Sequence, residues 1–535
     1  MKSTRITAGV MLDRDVAVPM RDGIRLRANV FRPDTSQRRP VVISVTPYGK
    51  DATPDRLGML FMRIAGVRFG RLNCSHWTGF EAPDPLFWTA AGYAVVQVDV
   101  RGMHGSEGHA GVLTDVDAAD YAELIEWAAH QSWSTGKVGL IGVSYLAMSQ
   151  WRVAALRPPS LKAIIPWEGV TDLLREFGYQ DGVPETGFIG VWWNVRMKRG
   201  RNRRRAMAED FPRERDARPL DDAWWADRRP NLEAIEVPAL VCASWSDHGL
   251  HTRGSLEGFE RIGSRDKWLF THGRRKWETF YSPEACQLQR RFFDRYLKGE
   301  ANGMETTQRV RLEVRKTRDQ QLVRSELRWP LSSVHYRPLY LNARTGRLAD
   351  HAPYDEAIVT YRAMGRRTRD RASFVYKFAR ATELTGSMAL KLWVSTTDGD
   401  DLDLFVLLRK FDAADREVFF YGYNGFARDG VAKGWLRASH RQLDADRSRP
   451  GRPWHTHRVS EPLAHGEIAP VEIEVLASST LFEAGSSLRV EVLGHDAAKY
   501  PAFRHRRTVN RGCHGVHTGG RHDSYLLAPF VEAHA

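Results

Sequence analysis

Hydrophobic positions divide the chain into two regimes. In the first, short continuous apolar runs bounded by glycine or charge alternate with stretches in which apolar residues recur every three or four positions. That is the signature of buried strands alternating with amphipathic helices. Residues 15–50 alternate apolar and polar positions across turns at Arg21-Asp22-Gly23 and Pro33-Asp34, which predicts a β-meander feeding a buried strand over 41–45. Another buried strand is expected within 92–102. Val116, Ala119, Leu124, Trp127 and Ala128 then mark one face of a helix over 115–131. Val138, Leu140 and Ile141 announce the next strand, and 161–169 a further one. This order predicts a doubly wound α/β domain.

From 170 to 236 the regularity stops; Trp, Arg and Asp dominate, with helical patches and no clear strand, so a helical cap insertion is expected. The α/β rhythm resumes over 237–247, 255–262 and 267–273 and closes with a long helix over 283–297, stopped by Gly299. Beyond about 310 the second regime begins: short alternating strands such as SMALKLWVS, LDLFVLLRKF, VEIEVLAS and SLRVEVLG, which predict a separate β-sandwich. The expected divisions are 1–169 and 237–305 for the α/β domain, 170–236 for the cap and 306–535 for the sandwich.

The stretch 136–147, GKVGLIGVSYLA, has the layout of a nucleophile elbow, a sharp strand-to-helix turn that lifts one serine, Ser144, into the open. Such a turn needs small residues around the serine. Gly142 supplies the first, Leu146 stands where the second glycine is common, and Ala147 one place on is small. A serine hydroxyl is a weak nucleophile near neutral pH and requires a base with a carboxylate to orient it. Asp247 directly follows the apolar run ALVCASWS and His272 directly follows KWLFT, so both are expected at the sheet edge where Ser144 emerges, in the order Ser, Asp, His. His248 and His251 compete for the role of base but lie in the same loop as Asp247. His104 is expected to serve its own turn, Asp99 to hold Arg101 or loop backbone, and Asp115 and Asp117 to cap a helix. The oxyanion donors expected are the Tyr145 N–H and the Tyr48 side chain, in the loop 46–50.

Composition narrows the classes. At 535 residues the chain is too long for one ordinary core. It is 42% hydrophobic, yet no stretch approaches the roughly 18 apolar residues of a membrane span, and the N-terminal apolar patch is interrupted by Gly9 and closed by Asp13 without a cleavage site. No membrane partner and a cytoplasmic location are expected. Cys74, Cys242, Cys286 and Cys513 have no paired spacing, which argues against a disulfide framework and a zinc site, and no metal or organic cofactor is called for. The net charge of +14 and the run Arg196, Lys198, Arg199, Arg201, Arg203, Arg204, Arg205 invite a nucleic-acid reading. No nucleic-acid-binding motif accompanies the run, so a solvated face is expected.

Taken together, VPMRDGIRLRANVFRP, TPYGK, GYAVVQVDVRGMHGSEG, IEWAAHQSWSTGKVGLIGVSY, VPALVCASWSD, the histidine after the next strand, RRFFDRYLKG and GWLRASHR resemble the CocE/NonD hydrolases, the family of cocaine esterase, α-amino-acid ester hydrolases and Xaa-Pro dipeptidyl-peptidases. The resemblance spans nearly the whole chain. It implies an α/β-hydrolase fold with a helical cap and a C-terminal jelly roll of the galactose-binding type. It also implies Ser144 as nucleophile, Asp247 and His272 completing the triad, and Tyr48 with the Tyr145 amide as oxyanion hole. The family usually has glycine at the position of Ala147, which implies a slightly adjusted helix crossing, and THGRRKW departs from its common PW-x-H form. Trp151, Trp167, Trp192 and Trp193 are candidates to wall an acyl pocket. Glu168, Asp172, Glu176, Asp181 and Glu185 could hold a substrate ammonium or form a solvated cap surface. The expected activity is hydrolysis of a small-molecule acyl ester. Xaa-Pro dipeptide or α-amino-acid ester cleavage is the alternative within enzymes, and a non-catalytic carbohydrate- or polymer-binding protein the alternative outside them. The oligomeric state is left open.

Overall fold

A computed structural model describes residues 3–52, 63–64, 67–201, 207–365, 367, 370–497 and 504–531. The central sheet is built from β1 (Val10–Pro19), β2 (Arg25–Pro33), β3 (Arg39–Thr46), β4 (Ala94–Asp99), β5 (Ser134–Val143), β6 (Leu161–Trp167), β7 (Ala239–Ser244), β8 (Lys267–His272) and β9 (Val310–Arg315). Their spatial order is β1-β2-β4-β3-β5-β6-β7-β8-β9. The first two contacts are antiparallel and all from β4 onward are parallel. β3, β4 and β7 are buried at nearly every position, as strands covered on both faces must be, which is why they read as continuous apolar runs. The meander and the buried strands lie where the hydrophobic pattern predicts them; the spatial order comes from the pairing alone. One strand crosses the expected domain boundary: β9 lies beyond residue 306, yet it pairs in parallel with β8 through Leu269–Val310 and Phe270–Arg311.

Helices pack on this sheet. α1 (Asp115–Ala129) opens with a capping box in which Thr114 accepts from the Asp117 N–H and the Asp117 carboxylate accepts from the Thr114 N–H, so Asp117 caps as expected. Asp115 instead pairs with Arg152 of α2 (Tyr145–Ala155). α3 (Thr252–Arg261), α4 (Lys276–Phe280) and α5 (Pro283–Phe293) follow. α5 has Ser282 as N-cap and proline at its start, and the chain leaves its last turns at Gly299 with φ +79°. Among the described residues no helix is long and apolar enough to cross a membrane.

The cap holds short helices such as Phe188–Val191 and Phe211–Asp216 around an aromatic cluster of Phe177, Trp192, Phe211 and Trp225. It also contains a tiny hairpin, Tyr179–Gln180 against Val183–Pro184, which the sequence did not announce because each strand is only two residues long. The cap carboxylates are not solvated. Asp172 pairs with Arg229 and Arg175, Glu176 accepts from Thr171, Asp181 pairs with Arg253, and Glu185 accepts from the N–H groups of Gly187, Phe188 and Ile189.

In the C-terminal region, the ladders link β16 (Ala469–Phe482), β13 (Thr382–Thr396), β18 (Tyr525–Val531), β10 (Val334–Asn342), β11 (Arg347–Ala349), β12 (Ala372–Lys377), β17 (Ser487–Leu493), β14 (Asp403–Phe411) and β15 (Ala432–Arg437) and return to β16. Where a jelly-roll sandwich was expected, the described residues form a closed nine-strand circuit. Two single-pair links, Arg347–Val375 and Gly434–Val475, join strands that a two-layer reading leaves as edges. Leu390, Leu392, Val406, Val471 and Val490 fill its core.

This region braces the hydrolase domain through Arg315, buried at the end of β9. Its guanidinium donates to the carbonyls of Trp245 (3.2 Å) and Val431 (2.7 Å) and to the Ser478 hydroxyl (2.6 Å). Arg315→Ala is expected to destabilise the protein by about 3 kcal/mol, because those buried acceptors are left unmet. Thermal unfolding measures it.

Candidate active site

The sheet order places β3 and β5 side by side while the chain leaves β3 toward β4, so the loops after β3 and β5 meet at a topological switch point. Ser144 directly follows β5 there with φ 59° and ψ −117°, a backbone conformation that costs energy in a non-glycine residue and persists because its surroundings hold it. Its N–H faces the carbonyls of Trp167 (3.1 Å) and Glu168 (3.2 Å), and its own carbonyl accepts from Ala147 and Met148 (2.9 Å each) to start α2. A Cβ on Gly142 would lie 2.4 Å from that of Leu146, so the elbow requires glycine there. The methyl of Ala147 is accommodated by Gly169, whose absent Cβ would come within 3.0 Å of it.

The histidine beside Ser144 is His251. Its Nε2 lies 3.1 Å from Ser144 Oγ, and its Nδ1 is hydrogen-bonded to Asp247 Oδ2. Asp247 follows β7, the chain turns at Gly249 (φ +100°), and His251 arrives one helical turn later, just ahead of α3. Asp247 and His251 are therefore an i, i+4 pair, a spacing that brings side chains together on one turn. Both are buried, whereas Ser144 is half-buried.

His272 was expected as the base and is not in that position. Its Nε2 is 2.9 Å from Glu168 Oε1, and its Nδ1 accepts from the Arg274 N–H at 3.2 Å. The Arg274 amide can only donate, so Nδ1 carries the lone pair and Nε2–H points at the carboxylate. Both nitrogens are committed. Glu168 Oε2 in turn accepts from Ser244 Oγ (2.7 Å), and the Trp167 ring stacks on the imidazole at 6.3 Å. His248 turns the other way, its Nε2 2.9 Å from the Ala477 carbonyl of β16.

Lys276, at the start of α4, also went unread in the sequence. Its Nζ lies 2.5 Å from Asp247 Oδ2, 3.0 Å from His251 Nδ1 and 3.9 Å from Glu168 Oε2. Burial works against the ammonium, but Asp247, Glu168 and Glu81 outweigh it and hold its pKa above the ordinary value. Burial would raise the Asp247 carboxyl; Lys276 and His251 instead hold it well below the usual range. His251 is pushed down by burial first and by the Lys276 charge second, with Asp247 opposing. Glu81, at φ 65°, accepts from Trp277 Nε1 (3.1 Å) and is pushed up to about 8 by burial.

Tyr48 lies in the loop after β3. Its phenol accepts from Trp192 Nε1 at 3.3 Å and has the Ser144 side chain among its partners. Burial and the nearby Glu81 hold the phenol protonated far above neutrality. The Tyr145 N–H opens α2, where no earlier carbonyl of the helix can reach it. His104 bears on Gly49 and its Nε2 is 3.2 Å from the Pro47 carbonyl, so it serves this loop. Asp99 accepts from the Lys50 N–H at 2.6 Å, as expected of a residue holding loop backbone.

Of the four tryptophans, Trp192 is brought against Tyr48. Trp151 is buried between α2 and α3 against Gly169 and Gly258, Trp167 packs on Phe270 and Phe280, and Trp193 on Phe211. Within the basic run, Arg196 lies over the Phe80 ring at 5.3 Å, while Lys198, Arg199 and Arg201 are exposed; Arg203, Arg204 and Arg205 lie outside the described residues.

Cys74, Cys242, Cys286 and Cys513 are free thiols, and Cys242 is buried in β7. Among the described residues three groups bring metal-type donors together: Glu168 with Cys242 and His272, Glu168 with Asp247 and His251, and Asp181 with His455 and His457. The first two are parts of the networks just described. In the third, Arg253 already donates to Asp181 at 2.8 Å, a cation where a metal ion would have to sit close by.

A serine on a strained elbow at the carboxyl edge of a parallel sheet, in contact with an imidazole that is itself oriented by a carboxylate, defines a serine hydrolase of the α/β-hydrolase class. Comparison with known proteins agrees. The family model described as X-Pro dipeptidyl-peptidase (S15 family) matches residues 22–277, and that of the X-Pro dipeptidyl-peptidase C-terminal non-catalytic domain matches 302–527. A CocE/NonD family hydrolase from Staphylococcus aureus, known from its crystal structure, is 42% identical with a TM-score of 0.93, covering 98% of this chain and 94% of that one. The cocaine esterase of Rhodococcus sp. is 26% identical over 97% of this chain and 98% of its own length. An α-amino acid ester hydrolase, 18% identical, shares the fold with a TM-score of 0.72 over 98% of this chain and 97% of that one. The chain belongs to the CocE/NonD family of serine hydrolases.

Proposed function

We propose that this protein hydrolyses acyl esters through an acyl-enzyme on Ser144, with His251 as general base and Asp247 orienting it. The 3.1 Å contact between Ser144 Oγ and His251 Nε2 carries the reading. The Asp247 carboxylate accepts a hydrogen bond from Nδ1–H, which leaves the Nε2 lone pair toward Ser144. In acylation Nε2 takes the hydroxyl proton as Oγ attacks the ester carbonyl, then returns it to the departing alkoxide. In deacylation the same nitrogen takes a proton from water as the water oxygen attacks the acyl carbon, then gives it to Ser144 Oγ as the acyl–Oγ bond breaks and the acid leaves. The protonated Tyr48 hydroxyl and the Tyr145 N–H donate to the oxyanion. Tyr48→Phe is expected to lower kcat by about a hundredfold with little change in KM, since the lost donor acts on charge that develops only in the transition state. Steady-state kinetics with p-nitrophenyl butyrate tests it.

The internal commitments of Asp172, Glu176, Asp181 and Glu185 favour a neutral acyl ester over a substrate anchored by its ammonium, because these four carboxylates already hold arginines, backbone N–H groups or a hydroxyl. The family model named for X-Pro dipeptidyl-peptidases favours the second reading. Parallel assays decide between them: turnover of p-nitrophenyl acetate and butyrate with none of Ala-Pro-p-nitroanilide is expected, and the reverse preference contradicts the ester reading.

A further inference from the structure

We infer that Lys276 is a positioning residue of this centre, a fixed cation that clamps Asp247 and keeps His251 in its neutral, proton-accepting form. The inference rests on the reading of Ser144, His251 and Asp247 as the triad. Three atoms carry it: Nζ of Lys276, Oδ2 of Asp247 and Nδ1 of His251, with Nζ 2.5 Å from the oxygen and 3.0 Å from the nitrogen. An ammonium only donates, so Oδ2 accepts from Lys276; with the Nδ1 proton directed at Asp247, as in the proposed triad, the same oxygen also accepts from His251, while among the described residues Asp247 Oδ1 is buried without a partner. One carboxylate oxygen thus does the orienting, and Lys276 fixes where it sits. Lys276 is itself buried at the start of α4, with an exposure of 5%, so its charge is poorly screened by water.

The charges around the imidazole set the direction of the effect. Asp247 and Lys276 face its Nδ1 side, the neutral Ser144 hydroxyl faces Nε2, and Glu168, just beyond β6, also acts on it. Glu81 acts on Lys276 from the other side. Protonating Nε2 places an imidazolium 3.0 Å from an ammonium, with a carboxylate already shared between them. Burial lowers the histidine most; Asp247 would raise it, and the Lys276 charge offsets Asp247. The neutral base therefore persists to lower pH than an unassisted Asp-His pair would allow, and removal of the ammonium moves the acid limb of activity upward. The lysine is no base in its own right, since its own pKa is held above the ordinary value.

The test is the pH dependence of kcat/KM for p-nitrophenyl acetate in the wild type, Lys276→Met, Lys276→Gln and Lys276→Arg. The Met and Gln variants are expected to shift the acid limb upward by about one pH unit, a tenfold loss on that limb, while Arg, which keeps the charge, holds it near the wild-type position. Gln retains a donor for Asp247 and separates charge from anchoring, and it serves if Met fails to fold. An acid limb unmoved in a folded Gln or Met variant overturns the inference. Failure of the triad reading looks different: a fluorophosphonate would then label wild type and His251→Asn at equal rates, whatever Lys276 does.

Discussion

Ser144→Ala is expected to reduce ester turnover by at least a factor of about a thousand while leaving thermal unfolding close to wild type. No other atom takes over the attack. The hydroxyl is the group that His251 Nε2 touches, and the Tyr145 N–H and Tyr48 are arranged around it. Residual hydrolysis would come from the oxyanion donors acting on water, which in comparable centres leaves activity well above the uncatalysed rate. The fold should survive, because the side chain makes no packing contact that alanine cannot replace, and alanine tolerates φ 59° no worse than serine. Burst kinetics with p-nitrophenyl acetate provides the measurement: wild type is expected to release one equivalent of nitrophenol rapidly and the variant none.

The second large effect separates two histidines that the sequence presents as rivals. His251→Asn is expected to lower kcat by about a thousandfold or more, since the imidazole in contact with Ser144 is lost. His272→Ala acts on stability instead. It strands the Glu168 carboxylate, fully buried, with Ser244 as its remaining close partner and Lys276 at 3.9 Å, and removing one member of such a pair costs about 3–5 kcal/mol. Protein that remains folded is expected to keep turnover within about tenfold of wild type. His272→Gln, which can still donate to Glu168, is expected to recover part of the stability. Kinetics and thermal unfolding on the three variants read the two effects apart.

Much of this architecture was legible in the hydrophobic pattern. Buried parallel strands are continuous apolar runs, so β3, β4, β5 and β7 announced themselves, and the glycine of GVS marked the elbow. Ser144, Asp247 and Tyr48 follow from their places just beyond strand ends, where side chains must emerge at one edge. The histidine did not follow from the same rule. His272 does end β8, but the register that pairs Ser244 with His272 and Cys242 with Trp167 turns it toward Glu168 beyond β6, and two hydrogen bonds then fix both nitrogens. His251 was set aside as part of Asp247's own loop. That loop closes into a helical turn at Gly249, and the spacing Asp247-x-x-x-His251 was the available signal. Lys276 carried none: an isolated lysine after RR reads as solvent-facing, and its burial beside Asp247 comes from contacts distant in sequence. The cap carboxylates were misread for a similar reason, since pairing with arginines distant in sequence leaves no local trace. In the C-terminal region the alternation located the strands but could not say that single-pair links would close them into a circuit.

The rate at which a fluorophosphonate modifies Ser144, followed by intact-protein mass for wild type, His251→Asn and His272→Gln at one pH, tests most directly which imidazole activates the hydroxyl. The account predicts rapid stoichiometric modification of wild type, a rate within about tenfold of it for His272→Gln, and a loss of about a hundredfold or more for His251→Asn. A His272→Gln protein that resists the reagent while His251→Asn reacts like wild type would contradict it.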